Sequence, residues 1–208
     1  MPFEHVVKSI EELRDKVGEP SELARKKQIP ALDAHCRAFI AGSPFVLVAT
    51  ASASGQCDVS PKGDAAGFVQ VVDDHRLFLP DRPGNRRFDG MRNILENPHV
   101  GLIFLIPGRE ETLRVNGQAY IVRDPVLLER ATAMGKRPDS GIGVLVEEVF
   151  LHCAKAFKRS KLWQRDTWPD PASVPSMARM LLDQAKPVGM TLEDLEKRLQ
   201  LGYTTQLY

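Results

Sequence analysis

With 208 residues the chain has room for one good-sized domain with its own core and helical extensions, and two full domains would be tight. Its 28 Lys and Arg against 27 Asp and Glu leave no global charge to draw it to nucleic acid or an anionic membrane, so any anion site must be local. No apolar run nears the roughly 20 residues of a membrane helix, and Met1-Pro2-Phe3-Glu4-His5 lacks the charged and apolar regions of a signal peptide, which predicts a soluble, cytoplasmic protein.

The first part is helical in pattern. Ser9 opens a short helix through Ile10, Leu13 and Val17, and Ser21 with Glu22 and Leu23 starts another. After a break at Ile29-Pro30, a third helix from about 31 to 41 sets Leu32, His35, Cys36, Phe39 and Ile40 along one side, and Gly42-Ser43-Pro44 stops it. Short strands follow at 45–51, 56–60, 67–72, 76–80, 99–106 and 112–123, with turn signals at Ser54-Gly55 and Asp73-Asp74. A single helix from about 86 to 96 interrupts them, with Phe88, Met91, Ile94 and Leu95 on its apolar side and Asn97-Pro98 at its end. Hairpin-linked strands with one short helix predict an antiparallel barrel in a mainly β, α+β fold, because a parallel sheet needs a helix at nearly every crossover.

The strand from Thr112 alternates cleanly, with Leu113, Val115, Gly117, Ala119 and Ile121 on one face and Thr112, Arg114, Asn116, Gln118 and Tyr120 on the other. A helix at 125–135, a largely apolar strand at 143–156, and helices at 177–185 and 192–199 complete the reading, the last opened by a capping-box-like Thr191-Leu192-Glu193-Asp194. The chain thus reads as one domain with N-terminal helices to 43, a barrel core over 44–165 and a helical extension over 166–208. The apolar stripes of that extension cover either the chain itself or a partner subunit.

Chemistry concentrates where strand 76–80 runs through Pro80-Asp81-Arg82-Pro83-Gly84 into a helix start carrying Arg86 and Arg87 behind a capping candidate, Asn85. Cations are disfavoured at a helix N-terminus, so the pair marks either an anion, with phosphate the obvious one, or a solvated surface turn. A second cluster, Asp58-Val59-Ser60-Pro61-Lys62-Gly63-Asp64, is a strand end that presents a lysine. If that strand lies beside Leu79-Pro80, Lys62 and the arginines converge, and Thr112 or Arg114 can join them. A phosphate with a flat ring against backbone edges suits such a surface.

The remaining candidates read as structural. Cys36, Cys57 and Cys153 are widely spaced, with no CxxC pair and no metal-ligand pattern, and are expected to be reduced and mostly packing. His152 reads as a structural histidine, and the run Lys155, Lys158, Arg159, Lys161 as a solvated face or a donor of charge to a neighbouring site. Trp163 and Trp168 suit a subunit interface. Glu147 and Glu148 are set aside as an acid/base pair, because adjacent strand residues point to opposite faces.

The order of these motifs over about residues 30–165 resembles the pyridoxamine 5′-phosphate oxidase-like FMN-binding split barrels. It is nearest to a subgroup described as FMN-dependent that also carries His152-Cys153-Ala154-Lys155-Ala156 and Arg159-Ser160-Lys161-Leu162-Trp163. The resemblance implies FMN at the interface of a homodimer. Asp58, Val59, Ser60, Pro61 and Lys62 would contact the flavin and its tail, Leu79-Pro80 would line the ring, and Asn85, Arg86 and Arg87 would hold phosphate. Thr112, near Arg114, stands where the oxidases have a flavin-contacting glutamine. The oxidases' Tyr, Arg and Ser set for substrate phosphate is only echoed by Arg137, Asp139 and Ser140, with no tyrosine before them, so that substrate is not transferred. The implied activity is an FMN-dependent oxidoreductase of unknown small-molecule substrate, with no metal and no protein acid or base assigned. A flavin or haem carrier or sensor, and a deazaflavin-dependent reductase, are the alternatives on the same fold; His5, His35, His75, His99 and His152 are too scattered to favour an axial ligand.

Overall fold

The computed structural model describes residues 3–208; Met1 and Pro2, the start of the segment read above for a signal peptide, lie outside them. Two helices come first, α1 (Ile10–Val17) and α2 (Glu22–Lys26). Each opens on a serine whose hydroxyl accepts an N–H three residues on, Ser9 from Glu12 and Ser21 from Ala24. Helix α3 (Ala34–Gly42) starts later than the sequence predicts, because Asp33 takes the capping position and accepts the Cys36 N–H at 2.8 Å.

Strands β1 (Phe45–Ala51), β2 (Cys57–Gly63), β3 (Gln70–Val71) and β4 (Arg76–Pro80) precede helix α4 (Asp89–Glu96), and β5 (His99–Leu105) and β6 (Thr112–Val122) follow it. Helix α5 (Pro125–Arg130) leads to β7 (Gly141–His152). The strands form one antiparallel sheet in the order β2-β1-β5-β6-β7-β4-β3. This is the antiparallel split barrel with flanking helices that the sequence predicts. Among the described residues no backbone ladder joins β2 to β4; instead the pairs Lys62–Asp81 at 3.5 Å and Arg82–Asp64 at 2.7 Å span the seam between them.

Inward side chains of the sheet, among them Val46, Val48, Leu102, Phe104, Leu113, Val115, Val144 and Val149, make the core, closed by Phe39 and Ile40 of α3 and Ile94 of α4. Burial of each contributes roughly 1.5–3 kcal/mol before entropy is charged against it. The alternation of β6 holds: Leu113, Val115, Gly117 and Ala119 are buried while Arg114, Asn116 and Gln118 are half-buried. Thr112 is buried too, although it belongs to the polar row.

Several boundaries move, for physical reasons. Strand β2 continues through Pro61 and Lys62 to Gly63, which an edge strand tolerates because one side of its backbone has no ladder to satisfy. The third strand shrinks to two residues. Helix α4 begins at Asp89 because Arg86 and Phe88 adopt left-handed φ values of 60° and 58°. Helix α5 stops at Arg130, ahead of left-handed Met134 and Gly135, and β7 ends at His152, so that helix α6 (Lys155–Ser160) takes most of the basic run. Helices α7 (Met177–Ala185) and α8 (Leu192–Thr205) pack on each other, and the capping box at Thr191 and Asp194 forms as predicted. All three cysteines are free thiols; Cys36 is buried, whereas Cys153, expected to pack, is exposed beyond the end of β7, as is Cys57 at the start of β2. Among the described residues no helix is long and apolar enough to cross a membrane.

Candidate functional site

Side chains alternate along β2, so Cys57, Val59 and Pro61 face outward while Asp58, Ser60 and Lys62 turn toward α4. Helix α4 is held over the sheet by Ile94 in the core and by Asn93, whose amide donates to Thr50 Oγ1 at 3.1 Å. Between them lies a cavity of about 250 Å³. Asp58, Val59, Ser60, Pro61 and Lys62 line one side, Asn85, Asp89, Gly90 and Met91 the other, and the buried Val48 and Ile142 also contribute.

The loop into α4 differs from its sequence reading. Arg86 and Arg87 precede the helix and Asp89 occupies its first turn, so the argument from cations inside that turn does not hold. Asn85 Oδ1 accepts the Arg87 N–H at 3.0 Å instead of capping the helix. The capping position falls to left-handed Phe88, which offers no side-chain acceptor, so the first N–H groups of α4 lack a side-chain cap. Arg87 Nε donates to Asp89 Oδ2 at 2.7 Å; that bond, and more weakly the charge of Asp58, raise the guanidinium above its usual pKa. Arg86 has no ion-pair partner among the described residues.

The other sequence candidates lie elsewhere. Leu79 and Pro80 are buried in β4, paired with Ile142 and Gly141, so Leu79 is a core neighbour of the cavity wall. Thr112 lies opposite His152 at the start of β6. Arg114 is on the outward face in the row Pro61–Leu47–Ile103–Arg114, three strand spacings or roughly 14 Å from β2, with its guanidinium 5.1 Å from the Phe150 ring centroid. Within one chain, then, Asp58 to Lys62 and Asn85 come together, and Thr112 and Arg114 do not join them. Asp89 and Gly90 escaped the sequence reading because the helix start was misplaced, and Met91, read only as part of the helix's apolar side, also lines the cavity.

A second, more open cleft of about 350 Å³ lies on the outward face, lined by Ala49, His99, Gly101, Asn116 and Glu147 among others. Here the reason given for setting Glu147 and Glu148 aside fails. The ladder slips between Asn116 and Gly117, so Val146 and Val149 both point inward and both glutamates lie on the outward face. Gln118 Nε2 donates to Glu147 at 2.6 Å and Asn116 Nδ2 to Glu148 at 3.2 Å. His152 is exposed at the end of β7 rather than packed, and among the described residues no histidine lines the first cavity. Trp163 stacks on Phe157 with centroids 5.8 Å apart and donates to the Arg109 carbonyl, while Trp168 donates to that of Leu162; both indoles anchor their own chain.

The family described as pyridoxamine 5′-phosphate oxidase matches residues 32–153, from just before α3 to just past β7. Solved structures of related shape include HupZ of Group A Streptococcus, 22% identical over 58% of this chain and 93% of that one with a TM-score of 0.47. An FMN-binding protein from Syntrophomonas wolfei subsp. wolfei is 10% identical over 56% of this chain and 83% of that one, with a TM-score of 0.44. No curated protein matches the sequence.

Proposed function

This chain belongs to the pyridoxamine 5′-phosphate oxidase family, and from that premise we propose that it is an FMN-dependent oxidoreductase that works as a homodimer. The observation that carries the reading is the meeting of Ser60, Lys62 and Asn85 in one cavity beside the uncapped start of α4. Lys62 and Arg86 neutralise the phosphate, Ser60 and Asn85 donate to it, and Arg87 is released to it from Asp89. Because Asp58 and Asp89 also line the cavity, the phosphate sits toward Lys62 and away from the two carboxylates.

The donor set fits a phosphate-ended group, and the size of the cavity says which part. About 250 Å³ falls below the roughly 300–1,000 Å³ of whole-ligand pockets, so the cavity takes the tail and leaves the ring on the free backbone edge of β2. A second subunit then covers the ring. The outward sheet face carries Phe45, Leu47, Val59 and Ile103 as apolar surface wanting cover, together with Arg114, which is too far from the cavity of its own chain. When bound, the isoalloxazine supplies the redox chemistry by accepting hydride or electrons. The chain's part is to anchor the tail, hold the ring against β2 and exclude water.

A visible spectrum of the purified protein and a fluorescence titration with FMN test this. A flavin band and saturable quenching are expected, and Arg86→Ala with Arg87→Ala weakens binding by roughly 1.5–3 kcal/mol for each charge-assisted bond to phosphate that is removed. A colourless protein that ignores excess FMN sinks the proposal, and a haem spectrum replaces it with a carrier.

A further inference from the structure

Among the described residues, every hydrogen bond that ties residues 169–208 to the rest of the chain belongs to Tyr208. Its hydroxyl donates to Asp64 Oδ1 at 2.7 Å, its carbonyl accepts from Lys136 Nζ at 2.5 Å, and its ring centroid lies 5.5 Å from the Arg82 guanidinium carbon. The three partners come from the exit of β2, the exit of β4 and the connection between α5 and β7. The first two of these border the open seam of the barrel.

Asp64 is the centre of this arrangement. Its side chain is only 4% exposed and accepts from Tyr208, from the Ala65 N–H at 2.7 Å and from Arg82 Nε at 2.7 Å. A carboxylate buried to this degree depends on its donors, and losing one costs more than that bond's net worth. Tyr208 is the donor that arrives from outside the barrel, 144 residues along the chain. Asp64 stands two positions after Lys62, and Arg82 directly follows Asp81, so the clasp and the Lys62–Asp81 pair share the same two backbone segments.

We propose that Tyr208 is a positioning residue for the cofactor cavity: by clasping Asp64, Arg82 and Lys136 it closes the seam and holds Lys62 where the phosphate arrives. The cofactor half of this inference rests on the FMN reading above; the closing of the seam does not.

Tyr208→Phe removes one O–H and keeps the ring under Arg82, which makes it a mild and specific probe. Two measurements are made on the full chain. Amide hydrogen exchange without flavin is expected to speed up at residues 63–65 and 81–82 and to stay unchanged in the β5–β6 ladder. Titrations are expected to show FMN affinity falling about five- to ten-fold while riboflavin, with no phosphate to meet Lys62, stays within about two-fold. Unchanged exchange at both segments overturns the clasp. Faster exchange with FMN and riboflavin weakened alike, or with neither affected, overturns the positioning role. If the wild-type chain binds neither flavin, the FMN reading and the role built on it fall, while the exchange result still decides whether Tyr208 closes the seam.

Discussion

Asp64 shows how a single side chain can lend the fold a dependence on pH. Burial works to raise its pKa, but the bonds from Tyr208, Ala65 and Arg82 together outweigh burial and hold the carboxyl below the usual carboxylate value. A depressed folded-state pKa means that the folded protein binds this proton less readily than the unfolded chain does. Its contribution is therefore fully present above the ordinary value near pH 4 and is lost as pH falls through the lower folded value. Thermal melts recorded from pH 6 down to pH 3 are expected to fall more steeply for the wild type than for Asp64→Asn, which starts lower but has no such proton to take up. Parallel curves would show that Asp64 is not coupled to folding. Cys36 runs the other way: burial pushes its thiol up to about 11, so this buried cysteine stays protonated at neutral pH.

At the scale of the element, the bulge between β6 and β7 is held open by a glycine. A Cβ on Gly117 would collide with the Leu145 carbonyl oxygen and press within 3.2 Å of the Glu147 N–H nitrogen, and backbone atoms cannot swing aside as a side chain can. Gly117→Ala is expected to cost about 3 kcal/mol in urea unfolding, and to separate the two glutamates if the chain escapes by losing the bulge. None of this was legible in the sequence, since Gly117 fits the inward row of β6 as another small residue. The row itself was legible because one face of β6 is core, and a period of two survives wherever burial is one-sided. The start of α4 was not legible, since left-handed backbone at Arg86 and Phe88 carries no glycine to announce it. Asp58 to Lys62 and Asn85 could be found as a strand end and a loop. Their neighbours Asp89 and Gly90 depended on that misplaced helix start, and the bond from Tyr208 to Asp64 spans a separation that no local pattern reports.

For the whole molecule, the proposed dimer makes assembly and cofactor binding one event. Val59 is 59% exposed and Phe45 37%, on the face that also carries Ile103 and Arg114. Val59→Lys with Ile103→Lys places charge in the middle of that face, and sedimentation is expected to show monomer where the wild type is dimeric, with FMN affinity lost in step. A variant that stays dimeric, or a monomer that keeps full affinity, contradicts the shared site. The sheet's own edges set what happens to chains that fail to pair. Pro61 in β2 has no N–H to offer and β3 presents only two residues, so both edges of the sheet are blunted against pairing with a new strand. If the dimer forms as proposed, chains that fail to pair are expected to associate through the exposed apolar face that carries Val59 and Phe45, which light scattering of the Val59→Lys, Ile103→Lys variant against the wild type on heating would check.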